Sequence, residues 1–258
     1  LTLNTDANTR LYFQPNTGFT GDLTDAITFK AWDQTGGFTN GQTGVNTSTA
    51  PTLAGSSSLA SYPWGIAVSG NHAFVADRYS GLKILDISNP NSVSEVGTTS
   101  TGGYSIGVAV SGNYAYVTDR MYGLKIYDIS NLASPVLQNS NSSSSSYGYF
   151  TGVAVSGNYA YVSDRYSGLK VFNVTNKSAP QEVSLSTNVN LNDAGGVAIS
   201  GNYLYVAKMY GGIAIFDIST LNSPSAVSFT YGNNNNLYAM GISVSRSEEH
   251  TSELQSQR

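Results

Sequence analysis

Three Asp-Arg pairs, each followed closely by a tyrosine, are the residues of this sequence best suited to binding chemistry. The arginines are Arg78, Arg120 and Arg165, and the tyrosines are Tyr79, Tyr122 and Tyr166, with Tyr210 at the matching position of a fourth segment. A planar guanidinium can hold a carboxylate or sulfate through paired hydrogen bonds. A tyrosine ring offers rigid contact area for a sugar or a peptide. These seven residues are therefore the candidate ligand-binding residues.

The same residues also have a purely structural interpretation. Asp77, Asp119 and Asp164 could each cap their own turn, and each arginine could pair with a neighbouring structural unit. Packing constraints recur in every unit, whereas a ligand site usually breaks the symmetry of a repeat. Recurrence therefore favours the structural interpretation of the Asp-Arg pairs, and the sequence leaves both interpretations open.

The segments that carry these residues are copies of one repeat. The stretch "GIAVSGNHAFVADRYSGLKILDISNP" from Gly65 recurs from Gly107 and Gly152 and, more loosely, from Gly196, while "GISVS" from Gly241 opens a fifth copy. The leading glycines recur at intervals of 42 to 45 residues. That interval is the length of one four-stranded blade of a β-propeller.

The pattern within one copy predicts four antiparallel strands. In the first copy they cover residues 65–68, 73–77, 81–87 and 93–97, with a tight Ser-Gly-Asn turn after the first. The third strand is apolar on both faces, as expected of a strand buried between neighbouring sheets. The sequence therefore predicts an all-β fold, an incomplete β-propeller of four-stranded antiparallel blades with about four repeats and the start of a fifth.

The residues "VSGNYAYVTDRMYGLKIYDISN" resemble the LVIVD repeat family, predicted β-propeller modules of bacterial secreted and surface proteins. The resemblance covers roughly residues 50 to 245, and we place the propeller region at 47–245. The fourth copy departs from the pattern with Lys208-Met209 in place of Asp-Arg. The resemblance implies an architecture and an extracellular or cell-surface location, and it brings no catalytic residues.

The region before the propeller resembles the end of the Ig-like or cadherin-like repeats of large bacterial adhesins. The resemblance rests on "LYFQPNTGFTG" and "DAITFKAWDQT", and it predicts that residues 1–46 are the C-terminal part of such a domain. Some members of that family bind Ca²⁺, so Asp22, Asp25 and Asp33 are candidate ligands. Three scattered carboxylates fall short of the about six to eight oxygen ligands that Ca²⁺ requires, and no other cofactor is expected.

The last residues do not continue the repeat. The stretch "RSEEHTSELQS", residues 246–256, resembles the translation of a widely used sequencing-library adapter. We therefore expect residues 246–258 to be a non-native tail that takes no part in the fold.

Composition excludes several classes of function. Cysteine is absent, which removes thiol catalysis and thiolate metal sites. The net charge of −4 and a charged content of 11% provide no excess of basic residues to bind nucleic acid. No apolar run approaches the roughly 18 residues of a membrane span, so we expect no membrane insertion within this fragment. An extracellular glycan or protein is the expected partner.

Residues for catalysis are scarce. His72 is the sole histidine before the tail, and no Ser-His-acid arrangement or phosphate-binding glycine loop is present. The sequence therefore predicts a non-catalytic recognition or adhesion module of a larger bacterial protein. One alternative is a polysaccharide-active enzyme, which would need two carboxylates about 5 to 10 Å apart in the propeller channel. A structural spacer within an adhesin is the other.

Overall fold

The computed structural model describes residues 62–139, 149–183, 193–208, 212–230 and 240–244. The chain divides into two units, Leu1–Leu53 and Ala54–Arg258, and all of the described residues belong to the second. The predictions made for residues 1–46, including the calcium candidates, and for residues 246–258 lie outside the described residues.

The described residues form strands and no helices. In chain order the strands are β1 (Pro63–Ser69), β2 (His72–Asp77), β3 (Gly81–Asp86), β4 (Ser94–Thr99), β5 (Ser105–Ser111), β6 (Tyr114–Asp119), β7 (Gly123–Asp128), β8 (Val136–Leu137), β9 (Phe150–Ser156), β10 (Tyr159–Asp164), β11 (Gly168–Asn173), β12 (Gln181–Val183), β13 (Ala194–Ser200), β14 (Tyr203–Lys208), β15 (Gly212–Asp217) and β16 (Ser225–Thr230). Each consecutive set of four makes one antiparallel sheet in simple sequential order. We call these sheets blades 1 to 4, and they confirm the predicted fold class.

The local structure of each blade follows from its sequence. In blade 1 the Ser-Gly-Asn turn joins β1 to β2 with Gly70 at φ 56°, a left-handed conformation that glycine adopts without strain. The third strand, β3, is buried over nearly its whole length, as its two-sided apolar pattern predicts. Residues 240–244, the start of the fifth copy, are described but form no strand.

The hydrophobic core lies between the blades. Blade 1 contributes Phe74 and Ile84 to one cluster, and blade 2 contributes Val108, Val117 and Tyr127 to the same cluster. Equivalent clusters join blade 2 to blade 3 and blade 3 to blade 4. Each fully buried large apolar side chain contributes about 1.5 to 3 kcal/mol, so the stability of a blade depends on its neighbours.

The first strands of successive blades meet through glycines. A Cβ atom on Gly107 would lie 2.8 Å from the Thr151 carbonyl oxygen and 3.1 Å from the Gly152 Cα atom. A Cβ atom on Gly196 would lie 3.0 Å from the Gly241 Cα atom, so the fifth copy continues the series. The glycine that begins each of the first four copies is therefore required by close approach of one backbone to the next.

The end of the third strand carries a repeated turn. The carboxylates of Asp128 and Asp217 accept hydrogen bonds from the backbone N–H two residues later, at 2.8 and 2.7 Å. These bonds from Ser130 and Ser219 hold the pKa of both carboxyls below the ordinary value of 3.8. Blade 3 makes the same turn with the neutral Asn173, so its geometry does not depend on charge.

A tyrosine hydroxyl links blade 3 to blade 4. Tyr161 is fully buried, its hydroxyl donates to the Leu221 carbonyl oxygen at 2.6 Å, and burial raises its pKa to about 12. We expect Tyr161→Phe to lower the free energy of unfolding by about 1 to 2 kcal/mol, because the Leu221 carbonyl loses its donor. Urea unfolding measures the difference. Tyr116→Phe is the control, since Tyr116 holds the same repeat position without a hydrogen bond from its hydroxyl to another described residue; equal losses would contradict the assignment.

Candidate functional site

The carboxylates of the Asp-Arg pairs are buried at the end of the second strand of each blade. Asp77, Asp119 and Asp164 are all 0% exposed. Asp119 Oδ1 accepts hydrogen bonds from the backbone N–H groups of Met121 at 2.8 Å and Tyr122 at 3.1 Å. This carboxylate is therefore directed into its own turn.

Asp164 and Asp77 differ although they hold the same repeat position. Asp164 accepts bonds from the backbone N–H of Tyr149 and of Tyr166, at 3.2 and 2.9 Å, and from the Ser167 hydroxyl at 2.6 Å. Neither carboxylate oxygen of Asp77 accepts a hydrogen bond from any described residue. The repeated aspartate thus has a strong structural role in blade 3 that is missing in blade 1.

The three arginines lie where one blade meets the next. The Arg120 backbone N–H donates to the Tyr104 carbonyl oxygen of its own blade at 2.9 Å, and its guanidinium lies 4.0 Å from the ring centroid of Tyr149 in blade 3. Arg78 lies 5.0 Å from the ring of Tyr104 in blade 2 in the same way. Arg165 instead pairs with Asp193, with 3.3 Å between Nε and Oδ1. Each guanidinium therefore contacts the residue that begins the following blade.

The candidate tyrosines are exposed in the same turns. The exposed fractions of Tyr79, Tyr122 and Tyr166 are 52%, 43% and 60%, while Tyr210 lies outside the described residues. Tyr166 packs edge-on against Tyr149 with 6.0 Å between ring centroids. The exposed rings leave area available for contact with a ligand.

The arrangement is richest in blade 1, where aromatic rings surround Arg78. Its guanidinium lies 5.7 Å from the Trp64 ring centroid and 5.2 Å from that of Tyr79. Tyr79 also packs edge-on between Tyr62 and Tyr104, at centroid distances of 5.8 and 5.4 Å. We call Tyr62, Trp64, Arg78, Tyr79 and Tyr104 the aromatic cluster.

The sequence predicts only two members of this cluster as binding residues, Arg78 and Tyr79. A signal for the others was present, because Tyr62, Tyr104 and Tyr149 each precede the first strand of a repeat, in "YPWG", "YSIG" and "YFTG". The sequence could not show that the rings of Tyr104 and Tyr149 reach the arginine of the preceding blade, since that contact depends on how the blades pack.

A repeated ion pair is broken in blade 2. Lys83 pairs with Glu95 in blade 1, and Lys170 pairs with Glu182 in blade 3, each at 2.7 Å. In blade 2 the position of the glutamate is held by Leu137, and the Lys125 ammonium lies 5.1 Å from the ring centroid of Tyr122. Blade 2 therefore carries a lysine whose carboxylate partner has been replaced.

A cavity of about 550 Å³ opens between the first strands of the blades. Glycines and apolar side chains form most of its lining, and its polar side chains are Tyr149, Thr151 and Arg165. No aspartate or glutamate is among the described residues that line it. The Thr151 hydroxyl is in contact with the Ala194 and Gly195 carbonyl oxygens at 2.9 and 2.8 Å.

The described part of the chain offers neither a metal cluster nor a membrane-spanning helix. No group of three or more His, Cys, Asp or Glu residues there is arranged to hold a metal ion. No helix in these ranges is long and apolar enough to cross a membrane.

The blade architecture and the repeated Asp-Arg turn define an all-β repeat protein, with four consecutive sheets as in an incomplete β-propeller. The chain belongs to the LVIVD repeat family, because the family's LVIVD repeat pattern matches residues 61–101, 102–142, 147–187 and 192–231, more than half of the chain.

Solved structures share the fold at low sequence identity. The chain is 12% identical to the computationally designed Ika4 protein, with a TM-score of 0.51 over 65% of this chain and 98% of that one. It is 19% identical to a functionally unknown protein from Desulfotomaculum acetoxidans DSM 771, with a TM-score of 0.52 over 69% of this chain and 59% of that one. A comparison with curated proteins finds no match.

Proposed function

We propose that this chain is a non-catalytic recognition module that binds glycans through the aromatic cluster of blade 1. The observation that carries the proposal is the cluster itself, in which three aromatic rings lie around one guanidinium at a surface and a fourth, Tyr62, packs against Tyr79. Three of the rings are half exposed or nearly so, with Tyr62 at 63% and Trp64 at 47%.

The chemistry of the cluster suits a sugar. Exposed aromatic faces pack against the apolar C–H faces of sugar rings, while the tyrosine hydroxyls and the guanidinium donate hydrogen bonds to sugar oxygens. The edge-to-face contacts of Tyr79 with Tyr62 and Tyr104 hold the rings in place before a ligand arrives, which lowers the entropy lost on binding. The cluster departs from the repeat at Trp64, where the next two copies have Ile106 and Thr151.

The geometry of the acidic residues supports a non-catalytic role. Glycoside hydrolysis requires two carboxylates flanking the scissile bond. Asp119 and Asp164 accept hydrogen bonds within their own blades, and the described residues of the cavity wall include no carboxylate. Two of the three repeated aspartates, Asp119 and Asp164, are therefore less suited to serve a polysaccharide-active enzyme as catalytic acids.

The proposal includes the setting of the module. A chain free of cysteine, with 11% charged residues, suits a secreted or cell-surface protein, where the module would take part in adhesion. We also retain the proposals that residues 1–46 end an Ig-like adhesin repeat and that residues 246–258 are adapter-derived. Resequencing the source DNA across residue 245 tests the second of these directly.

Tyr79→Ala tests the binding function. We expect it to weaken binding to the best oligosaccharide of a neutral and acidic panel by about tenfold, because a central interface tyrosine contributes more than about 1 kcal/mol. Isothermal titration calorimetry measures the affinity, and thermal unfolding confirms that the variant is folded.

Tyr203→Ala is the matched control, since the Tyr203 ring is 43% exposed on β14 and lies outside the cluster. An equal loss in both variants, or no binding by any oligosaccharide of the panel, would overturn the proposal and leave a protein partner as the alternative. Release of shorter sugars during the titration would instead indicate an enzyme.

A further inference from the structure

We propose that the glycan is acidic and that its anionic group binds at the corner of blade 2 formed by Arg120, Tyr122 and Lys125. This inference rests on the proposed glycan-binding function and names the class of glycan. It comes from the one blade of the first three in which the lysine of the third strand has no glutamate partner on the outer strand.

The difference between the blades lies in a single position of the outer strand. In blade 1 Glu95 is in register with Leu85, and in blade 3 Glu182 is in register with Phe172. The residue in the same register of blade 2, opposite Tyr127, is Leu137. The lysine of the third strand is retained in all three blades, so blade 2 has kept the cation and lost its counter-ion.

The net charge of each corner follows from this change. Every one of these blades has a buried aspartate and an arginine at the end of its second strand, and those two charges cancel. In blades 1 and 3 the lysine and glutamate also cancel. At the corner of blade 2 the charge of Lys125 is left without a carboxylate on the outer strand, and the other acidic side chain of that sheet, Asp128, lies at the far end of β7. An anion that approaches is therefore attracted locally to this corner.

The cations of blade 2 are placed to receive an anion together with a sugar ring. Lys125 lies over the ring of Tyr122, and Arg120 lies over the ring of Tyr149. Among the described residues, neither cation forms an ion pair, whereas Arg165 pairs with Asp193. The negative groups nearest in the chain are Asp119, whose Oδ1 is occupied by two backbone N–H groups, and Asp128 at the far end of β7.

The corner adjoins the aromatic cluster. Arg120 donates its backbone N–H to Tyr104, a member of that cluster, and a Cβ atom on Gly102 would lie 3.7 Å from Tyr122 Cε2. Because Gly102 and Tyr104 belong to the same connection between blades 1 and 2, an oligosaccharide stacked on the cluster extends naturally to the corner. The aromatic cluster then binds the sugar rings, and the corner selects for charge.

Restoring the ion pair of the other blades tests the inference. In Leu137→Glu the new carboxylate lies where Glu95 and Glu182 lie, and we expect it to pair with Lys125 and weaken binding of an acidic oligosaccharide about fivefold. The probe is an oligogalacturonate, with its methyl ester as the neutral form of the same sugar. Affinity for the ester should change less than about twofold.

Val136→Glu is the control, because it adds the same charge one residue away, where the alternation of the strand directs the side chain to the other face. Val136 and Leu137 are 56% and 41% exposed, so both positions tolerate a charged side chain, and Lys125→Gln provides a second variant should Leu137→Glu fail to fold. A sulfated dextran oligosaccharide, compared with plain dextran, distinguishes sulfate from carboxylate as the preferred anion, and a preference for either supports the inference.

Three outcomes oppose the inference, and they are distinguishable. Equal binding of the acidic and neutral forms overturns the acidic class while the glycan-binding function stands. Equal losses in Leu137→Glu and Val136→Glu overturn the assignment to Lys125. Failure of every oligosaccharide to bind overturns the proposed function together with this inference.

Discussion

Gly107→Ala is expected to lower the free energy of unfolding by about 3 kcal/mol, the upper range for added volume in a packed interior. The added methyl group would lie 2.8 Å from the Thr151 carbonyl oxygen and 2.9 Å from Thr118 Oγ1. The carbonyl belongs to β9 of the next blade, so blades 2 and 3 must separate or the strands must shift. Urea unfolding monitored by tyrosine fluorescence measures the loss.

The control for this prediction is Gly112→Ala in the Ser-Gly-Asn turn of the same blade. Gly112 has φ 56°, and a methyl group added there would have no neighbouring atom within 4 Å. Alanine at this position therefore carries the cost of a left-handed backbone, about 1 kcal/mol, without a clash. A larger loss at Gly112 than at Gly107 would show that contact between blades is not what requires the glycine.

Asp164→Ala is expected to destabilise blade 3 by about 3 kcal/mol. The substitution removes a buried acceptor from the backbone N–H groups of Tyr149 and Tyr166 and from the Ser167 hydroxyl, and these donors then lie in a site with little access to water. Thermal and urea unfolding of the variant measure the change.

Asp77→Ala is the natural comparison, because Asp77 has the same repeat position and the same burial but accepts no hydrogen bond from a described residue. We expect a loss below about 1 kcal/mol there, since no hydrogen bond to a described residue is lost. Equal losses at the two positions would mean that the hydrogen bonds around Asp164 contribute little.

Most of the fold follows from the repeat. The predicted second strand, 73–77, is extended by one residue in β2, and the predicted third strand, 81–87, ends one residue earlier in β3. The outer strands are harder to predict from the sequence, because β8 and β12 are short and their pairing depends on the adjacent strand. The start of the fifth copy matches the first strand of the repeat in sequence, but residues 240–244 have no pairing partner among the described residues that would make them a strand.

The candidate site was predictable in its residue types and not in its contacts. The repeat located Arg78, Arg120 and Arg165 at equivalent corners, but the sequence could not show that Tyr104 and Tyr149 lie beneath the arginines of the preceding blades. The sequence also could not show that Leu137 holds the position of the glutamate, because that assignment requires the register of β8 on β7.

The glycine contacts between first strands have a consequence for the history of such proteins. Because the innermost junction is made by backbone atoms, it is the same whichever two copies of the repeat meet there. Duplication of a whole repeat therefore creates a junction that already fits, and the new copy is free to change its surface residues. A substitution such as the one at Leu137 can then give a single copy its own ligand preference while its junctions with its neighbours stay intact.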